Sequence, residues 1–476
     1  MVKEIKKSIF DKVGKIPITK MLLFIPLLIL IMGGSVVKGR LIVPIIYIYT
    51  FVVMGYCFYT YIKDTKKIDC ATIVCFPIVL SIFQNVYLGI IAKNLSSLEM
   101  QMLLVINVVY VCIWVLFLTI KEFNRDKNIR IYGIAFGAFL LYILISVIIN
   151  RPNMIAALAS TRNIISCMVF YIFGYALCNC TNKNQIIKIC IALGLSVILI
   201  GLYEVLIDNA LWTRLDIKEL WTKKGLRVNY NGLPENFYSS EKLNGKQLRR
   251  MTSTFADPVN LGTFFAAVFL VSWYKKKTWM MVLSAVSIVL TISKGGLLSV
   301  MVFLFVLVLY KIKSRKIKWA LIISLLAGGL AFLLYSYFFS TRSVFLHISG
   351  FINAVPIVWK KPLGYGVGNI GVLAQEFSAS QNPYITESGF GAIIGQLGIV
   401  GLIAYAGFFV YLFIRIIKIE NKEKAILLLS LLLSIAANMV FNEVALSPNS
   451  CGLYFVLIGL FLASDNLNIA RNRKVQ

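Results

Sequence analysis

Residues 258–310 read PVNLGTFFAAVFLVSWYKKKTWMMVLSAVSIVLTISKGGLLSVMVFLFVLVLY. Three apolar runs lie here, near 258–274, 278–293 and 295–310, parted only by Lys275-Lys276-Lys277 and by the turn Ser293-Lys294-Gly295-Gly296. Runs that are apolar on every face are helices with no water beside them, and links this short make neighbours antiparallel. The pattern extends along the chain, with fourteen candidate spans near 19–37, 41–61, 71–92, 100–120, 131–149, 162–180, 186–207, 258–274, 278–293, 295–310, 319–340, 385–414, 425–441 and 449–463. With 59% hydrophobic residues, 14% charged residues and a mean hydropathy of +0.83, a water-soluble globule is excluded. Continuous rather than alternating runs exclude a β-barrel too. The expected fold is an all-α polytopic membrane protein of about 12–14 transmembrane helices. Pro26, Pro44, Pro77 and Gly137 fall inside spans, where neighbouring helices satisfy freed backbone groups.

Lys and Arg orient the bundle, because basic residues in short loops stay on the cytoplasmic side. Taken with the termini, every second loop holds 30 basic residues, while the opposite short loops hold 6. Both termini are therefore expected in the cytoplasm. The net charge of +28 belongs mostly to these clusters, such as Lys311 to Lys318, so anionic headgroups explain it and nucleic acid is not an expected partner. The first apolar run follows a basic stretch and lacks a small-residue cleavage pattern, which reads as a retained anchor.

Division of the chain follows the same alternation: N-terminal spans over 1–207, a long outer segment over 208–257, central spans over 258–340, a second outer segment over 341–386, and C-terminal spans with a cytoplasmic tail over 387–476. Long outer segments are where lids and binding loops are built. Trp212 and Trp221 in the first read as membrane-interface anchors. In the second, Val344, Ile348, Phe351 and Val355 recur at helical spacing before Trp359 and Lys360-Lys361, as in a helix lying among headgroups. Neither segment holds any of the nine cysteines, so no disulfide framework is expected, and Cys178-x-Cys180 lacks zinc spacing. None of the twenty Asp and Glu residues sits mid-span; Glu204 and Glu387 come nearest, both toward outer ends. A coupled transporter places carboxylates at the midplane, so surface chemistry is favoured over transport, although a flippase with a basic cavity survives this test.

Four polar stations border the outer segments. Arg249-Arg250 precedes Asp257-Pro258-Val-Asn260, an N-cap and first helical turn, and an arginine beside free helix N–H groups can hold phosphate; headgroup solvation is the plainer reading of the same arginines. Lys294, in the Ser293-Lys294-Gly295-Gly296 turn, offers a point charge, and Arg342 stands ahead of Pro362-Leu-Gly364-Tyr-Gly366-Val-Gly368-Asn369. Glu387, Gly391 and Gly395 recur every four residues, which predicts one helical face with the carboxylate turned into the bundle, where desolvation raises proton affinity as a general base requires; a carboxylate merely favouring the helix dipole is the alternative.

Arg250 through Asn260, then Ser293-Lys294-Gly295-Gly296, Arg342, Pro362-Leu-Gly364-Tyr-Gly366, Glu387-Ser-Gly-Phe and Gly398-Ile-Val-Gly401 occur in the order and spacing that resemble the O-antigen ligase and polymerase family, over roughly residues 245–405. The resemblance implies a lipid-dependent, GT-C-like glycosyltransferase of the bacterial cytoplasmic membrane, needing neither cofactor nor metal. Its substrates would be a polyprenyl-diphosphate-linked glycan donor and acceptor, and membrane lipids, a chain-length regulator or a flippase would be its partners. By the same resemblance Glu387 and Arg250 are catalytic, Arg250, Lys294 and Arg342 hold the diphosphate, and Arg249, Asp257 and Asn260 are secondary candidates. Lys294 replaces the family's usual arginine, and Glu387 stands where ligases commonly carry histidine, which favours polymerisation over ligase-type transfer to another acceptor.

Overall fold

The structure, a computed structural model, describes residues 39–63, 70–339, 349–372, 374 and 387–475, apart from 225, 227, 229–231 and 244–245. Long helices account for thirteen of the fourteen expected runs; the first, 19–37, lies outside the described residues. In chain order these helices are α1 (Gly39–Lys63), α2 (Ala71–Ile91), α3 (Ser97–Glu122), α4 (Lys127–Asn150), α5 (Met154–Ala176) and α6 (Lys183–Leu206). The first long polar segment carries α7 (Leu211–Arg214), α8 (Ile217–Lys223) and a hairpin of β1 (Tyr238–Leu243) and β2 (Lys246–Arg249). There follow α9 (Pro258–Tyr274), α10 (Thr278–Thr291), α11 (Lys294–Lys311), α12 (Arg315–Phe339), the single turn α13 (Ile357–Lys360), α14 (Gly389–Ile417), α15 (Lys422–Phe441) and α16 (Pro448–Val475). Among the described residues nine helices are long and apolar enough to cross a membrane, and three more apolar helices are shorter. The chain is thus a multi-pass, helical membrane protein, with an antiparallel hairpin outside the spans that apolar periodicity did not reveal.

Helix starts follow capping chemistry. Ser96 and Glu99 form a reciprocal capping box ahead of α3, while Asp126, Asn153, Asn182, Asp257, Ser293, Ser388 and Asn421 each accept a first-turn N–H. Between the spans, glycine does the packing. A Cβ at Gly174 or Gly459 would land on the backbone of Val456 or Tyr171, so α5 and α16 touch main chain to main chain. Gly262 of α9 leaves room for the Ser293 side chain, and Gly296 lies against the Gly262 carbonyl, which sets α9 against the start of α11.

The first polar segment has a core of its own. Trp212 and Trp221 are buried, not membrane anchors, and both pack edgewise on Phe237 at 6.4 and 6.2 Å, with the Arg249 guanidinium 4.5 Å from the same ring. Buried Glu204, near the end of α6, ties this core to the bundle. It accepts from Arg249 Nη2 at 2.8 Å, from the N–H groups of Thr252 and Ser253 at 3.0 and 2.6 Å, and from Thr252 Oγ1 at 2.6 Å. In the second polar segment the expected amphipathic helix is broken: residues 353–356 form turns, and the stretch before 349 lies outside the described residues. Ala354, Ile357 and Val358 face inward against Ile370 and Ile394, whereas Trp359 is 82% exposed.

One covalent link departs from expectation. Cys70, at the start of α2, is bonded to Cys180, just beyond α5, across 110 residues of chain. Spacing gave no hint, because the helices from α2 to α5 separate the partners and only packing brings their ends together.

Candidate functional site

Polar residues gather at one end of the bundle. The C-terminal parts of α2, α10 and α15 and the N-terminal parts of α3, α5, α9, α11, α14 and α16 meet there, and the segment 208–257 covers them; a cavity of about 1090 Å³ opens between them. Its charged lining comprises Arg162, Lys224, Glu235, Arg250, Asp257, Lys294, Glu387 and Glu443. Five residues singled out from the sequence, Arg250, Lys294, Glu387, Asp257 and Asn260, therefore share one space although they are spread over residues 250–387 of the chain. Arg342 lies outside the described residues. Arg249 does not line the cavity; its guanidinium turns back into the Glu204 clasp and the Phe237 ring.

Each of the five has a distinct local setting. Arg250 donates through Nε to Thr291 O at 2.8 Å, through Nη1 to Asn236 O at 3.1 Å and through Nη2 to Ile292 O at 3.3 Å. It thereby holds the left-handed turn at Ile292 (φ 48°) that ends α10 and delivers Lys294 to the cavity. Burial lowers the proton affinity of Arg250, and the Asp257 carboxylate opposes that shift. Asp257 caps α9 by accepting from Val259 N at 3.0 Å and also accepts from Asn236 Nδ2 at 3.2 Å and from Asn260 Nδ2. Burial raises its pKa against the pull of the Val259 N–H, of Arg250 and of Asn260. Asn260 in turn accepts the hydroxyls of Ser447 and Ser450 at 2.9 and 2.6 Å, which fastens α9 to α16. Asp257 and Asn260 are thus scaffold for the cavity floor.

Glu387 sits differently from the reading of its spacing. α14 begins at Gly389 with Ser388 as N-cap, so Glu387 lies ahead of the helix in a left-handed conformation (φ 70°) and does not share a helical face with Gly391 and Gly395. For a residue with a Cβ that conformation costs about 1 kcal/mol or more. The 2.5 Å hydrogen bond from Glu443 N to Glu387 O helps hold it there.

Sequence patterning missed three groups. Glu443, in the turn between α15 and α16, is 5% exposed and accepts from Val372 N at 2.8 Å. Burial pushes its pKa up to about 7, with the Glu387 carboxylate contributing, so the site holds a carboxylate pair where a lone one was expected. Lys224, just past α8, is 9% exposed, donates to Asn85 Oδ1 and lies 5.1 Å from the Trp221 ring. Burial, then the neighbouring Arg162, pushes its pKa down to about 7, partly offset by Asp257. Arg162 stands two turns inside α5 and donates through Nε and Nη2 to Asn163 Oδ1 at 3.2 and 3.1 Å. The sequence carried one signal for it: Arg162 opens the apolar run expected at 162–180, and a guanidinium carried into a membrane span is costly and marks function by default. Lys224 was one basic residue among nine in its segment and carried no such mark.

The second polar segment braces this wall. Tyr365 N and Gly366 N donate to Gly395 O and Gln396 O, and Ile399 N donates to Pro362 O at 2.8 Å, so residues 362–366 pair edge to edge with a break in α14 at Gly398 (φ 59°, ψ −140°). Gly364 and Gly398, both at positive φ, permit that approach; a Cβ on either would strike the facing backbone. Gln396 completes the brace, accepting from Gly368 N at 2.9 Å and donating to Ile370 O at 2.7 Å.

Set against known proteins, the chain matches no family model and no curated protein.

Proposed function

We propose that this chain is a membrane glycosyltransferase that polymerises polyprenyl-diphosphate-linked oligosaccharide repeat units into a surface polysaccharide. A single observation carries the reading: Arg250, Lys294 and Glu387, from three separate polar stations, line one large cavity at one end of a helical membrane bundle. A prenyl chain can stay in the bilayer while its headgroup enters such a space. In the reaction, the hydroxyl oxygen of the acceptor sugar bonds to the donor's anomeric carbon and the bond from that carbon to the diphosphate oxygen breaks. Glu387 takes the hydroxyl proton, and the diphosphate leaves with the electron pair. Cations fixed in a poorly hydrated pocket stabilise that developing charge without having to reorganise, which is the usual source of large rate effects. Glu443 supports this role by placing a second carboxylate near the first, which favours proton uptake by the pair.

The decisive assay uses purified protein in vesicles with lipid-linked repeat units. Wild type is expected to elongate the glycan, and Glu387→Gln to lose elongation by roughly 100-fold or more. Near wild-type elongation by both Glu387→Gln and Arg250→Ala refutes the site. Movement of labelled lipid across the bilayer without elongation refutes the enzyme reading altogether, and transfer to a different acceptor indicates ligase-type chemistry.

A further inference from the structure

Two cations in this cavity are held near each other with neutral partners. Arg162 comes from α5 and Lys224 from the first polar segment, they are close enough to depress the lysine's proton affinity, and neither meets a carboxylate within salt-bridge reach among the described residues. Their hydrogen bonds go to the amides of Asn163 and Asn85. Arg250 stands in the opposite condition. Its Nε and both terminal nitrogens each donate to a backbone carbonyl, and Asp257 lies close enough to act on its charge. Burial and the neighbouring Arg162 disfavour the charged form of Lys224, and an anionic ligand that meets both side chains reverses that bias on binding. Three of the five Arg250 N–H groups are engaged on carbonyls, which fixes the guanidinium against the Thr291–Ile292 turn and leaves it fewer donors to turn toward a phosphate.

We propose that Arg162 and Lys224 are the side chains that grip the diphosphate, and that Arg250 positions the Lys294 turn. The inference rests on the function proposed above and names the residues that hold its leaving group. Asn85 and Asn163 then act as neutral holders that orient both cations toward the cavity. Lys224 enters the bound state fully charged, so binding draws a proton from solvent; Arg162 from α5 and Asp257 from the segment ahead of α9 are the charged groups acting on it before the ligand arrives.

The test titrates the full chain in phosphatidylcholine nanodiscs with farnesyl diphosphate, inorganic pyrophosphate, farnesol and phosphatidylglycerol, read by calorimetry in buffers of differing ionisation enthalpy. Wild type is expected to bind farnesyl diphosphate and not farnesol, and to take up part of a proton at pH 7.5. Arg162→Gln and Lys224→Met are each expected to weaken binding by roughly tenfold to a hundredfold, the effect of losing a charge-assisted hydrogen bond. Lys224→Arg keeps binding and loses the proton uptake, which separates loss of the ligand contact from loss of the fold. Exposed Lys316→Gln serves as the control. Unchanged affinity in Arg162→Gln and Lys224→Met, with loss in Lys294→Gln, overturns this inference alone. Failure of wild type to bind either diphosphate overturns the proposed function with it, and equal displacement by phosphatidylglycerol overturns the diphosphate assignment by making the site a lipid headgroup seat.

Discussion

Glu204→Gln tests whether one buried carboxylate holds the first polar segment over the cavity. Its two oxygens receive four hydrogen bonds, two at Oε1 from Arg249 Nη2 and Thr252 Oγ1, and two at Oε2 from the N–H groups of Thr252 and Ser253. A glutamine keeps one acceptor oxygen and turns an NH₂ toward the other pair, so either rotamer sets donors against donors. Bonds to a charged acceptor contribute about 1.5–3 kcal/mol each, and breaking a buried pair costs about 3–5 kcal/mol. The Arg249 side chain retains 19% exposure and recovers some hydration, which brings the expected loss to about 3–4 kcal/mol. Urea unfolding in detergent measures it, with tryptophan emission as a local report because Trp212 and Trp221 are buried in this segment. Emission should shift to the red before the bundle loses helicity. Arg249→Met in the Glu204→Gln background should cost less than the two single losses added, by about 2 kcal/mol or more, since the double variant leaves no orphaned charge. Strict additivity, or a single-variant loss below about 1 kcal/mol with unchanged emission, refutes the clasp.

Three further outcomes concern the site, its brace and the disulfide. Glu443 has a folded pKa of about 7 against an ordinary 4.5, so the folded state binds the extra proton between those values; its stabilising contribution is full below about pH 4.5 and is lost as pH rises through about 7. Lys224 behaves oppositely: with a folded value of about 7 against 10.5, the unfolded chain binds more protons in between, and stability rises with pH across that window. Thermal midpoints between about pH 4 and 10 should show the first slope removed by Glu443→Gln and the second by Lys224→Met, and slopes that persist in the variants exclude these groups. Gly398→Ala places a Cβ on the Pro362 carbonyl at a positive φ and should cost roughly 2 kcal/mol or more, seen as protease cutting within 362–368. Reduction of the Cys70–Cys180 link, which closes 110 residues, should lower stability to denaturant by about 4–5 kcal/mol; an unchanged midpoint after dithiothreitol, or full alkylation of both thiols without it, counts against the bond.

The spans were legible because apolar runs that long have a single physical solution in a bilayer, and the Asp257-Pro258 start of α9 was legible because cap and fixed φ act locally. Trp212 and Trp221 misled for a complementary reason. A tryptophan suits a headgroup layer and a small protein core equally well, and only the fold that brings Phe237 against both of them decides which. Glu387 misled because a spacing of four means a shared face only inside a helix. Ser388 caps α14 directly ahead of Gly389, which leaves Glu387 one residue outside the cap, and periodicity alone does not mark where a helix begins.

What the sequence hid most completely is the half of the site that comes from outside the patterned loops. Motif order exposes residues that belong to compact polar stations between apolar runs, which is how Arg250, Lys294 and Glu387 stand out. Arg162 lies in α5 among Ser160, Thr161 and Asn163, and Glu443 in a short link between two spans; neither falls in one of the patterned stations. Both reach the cavity because α5, α9 and α16 pack through glycines and through the Asn260 bonds to Ser447 and Ser450, contacts between residues 187 and 190 positions apart. A side chain whose role comes only from its place in a packed bundle leaves no local trace. The bias it creates does leave one: a guanidinium and a lysine near each other with amides for partners are the groups that the proposed diphosphate would engage, and the titration tests that engagement.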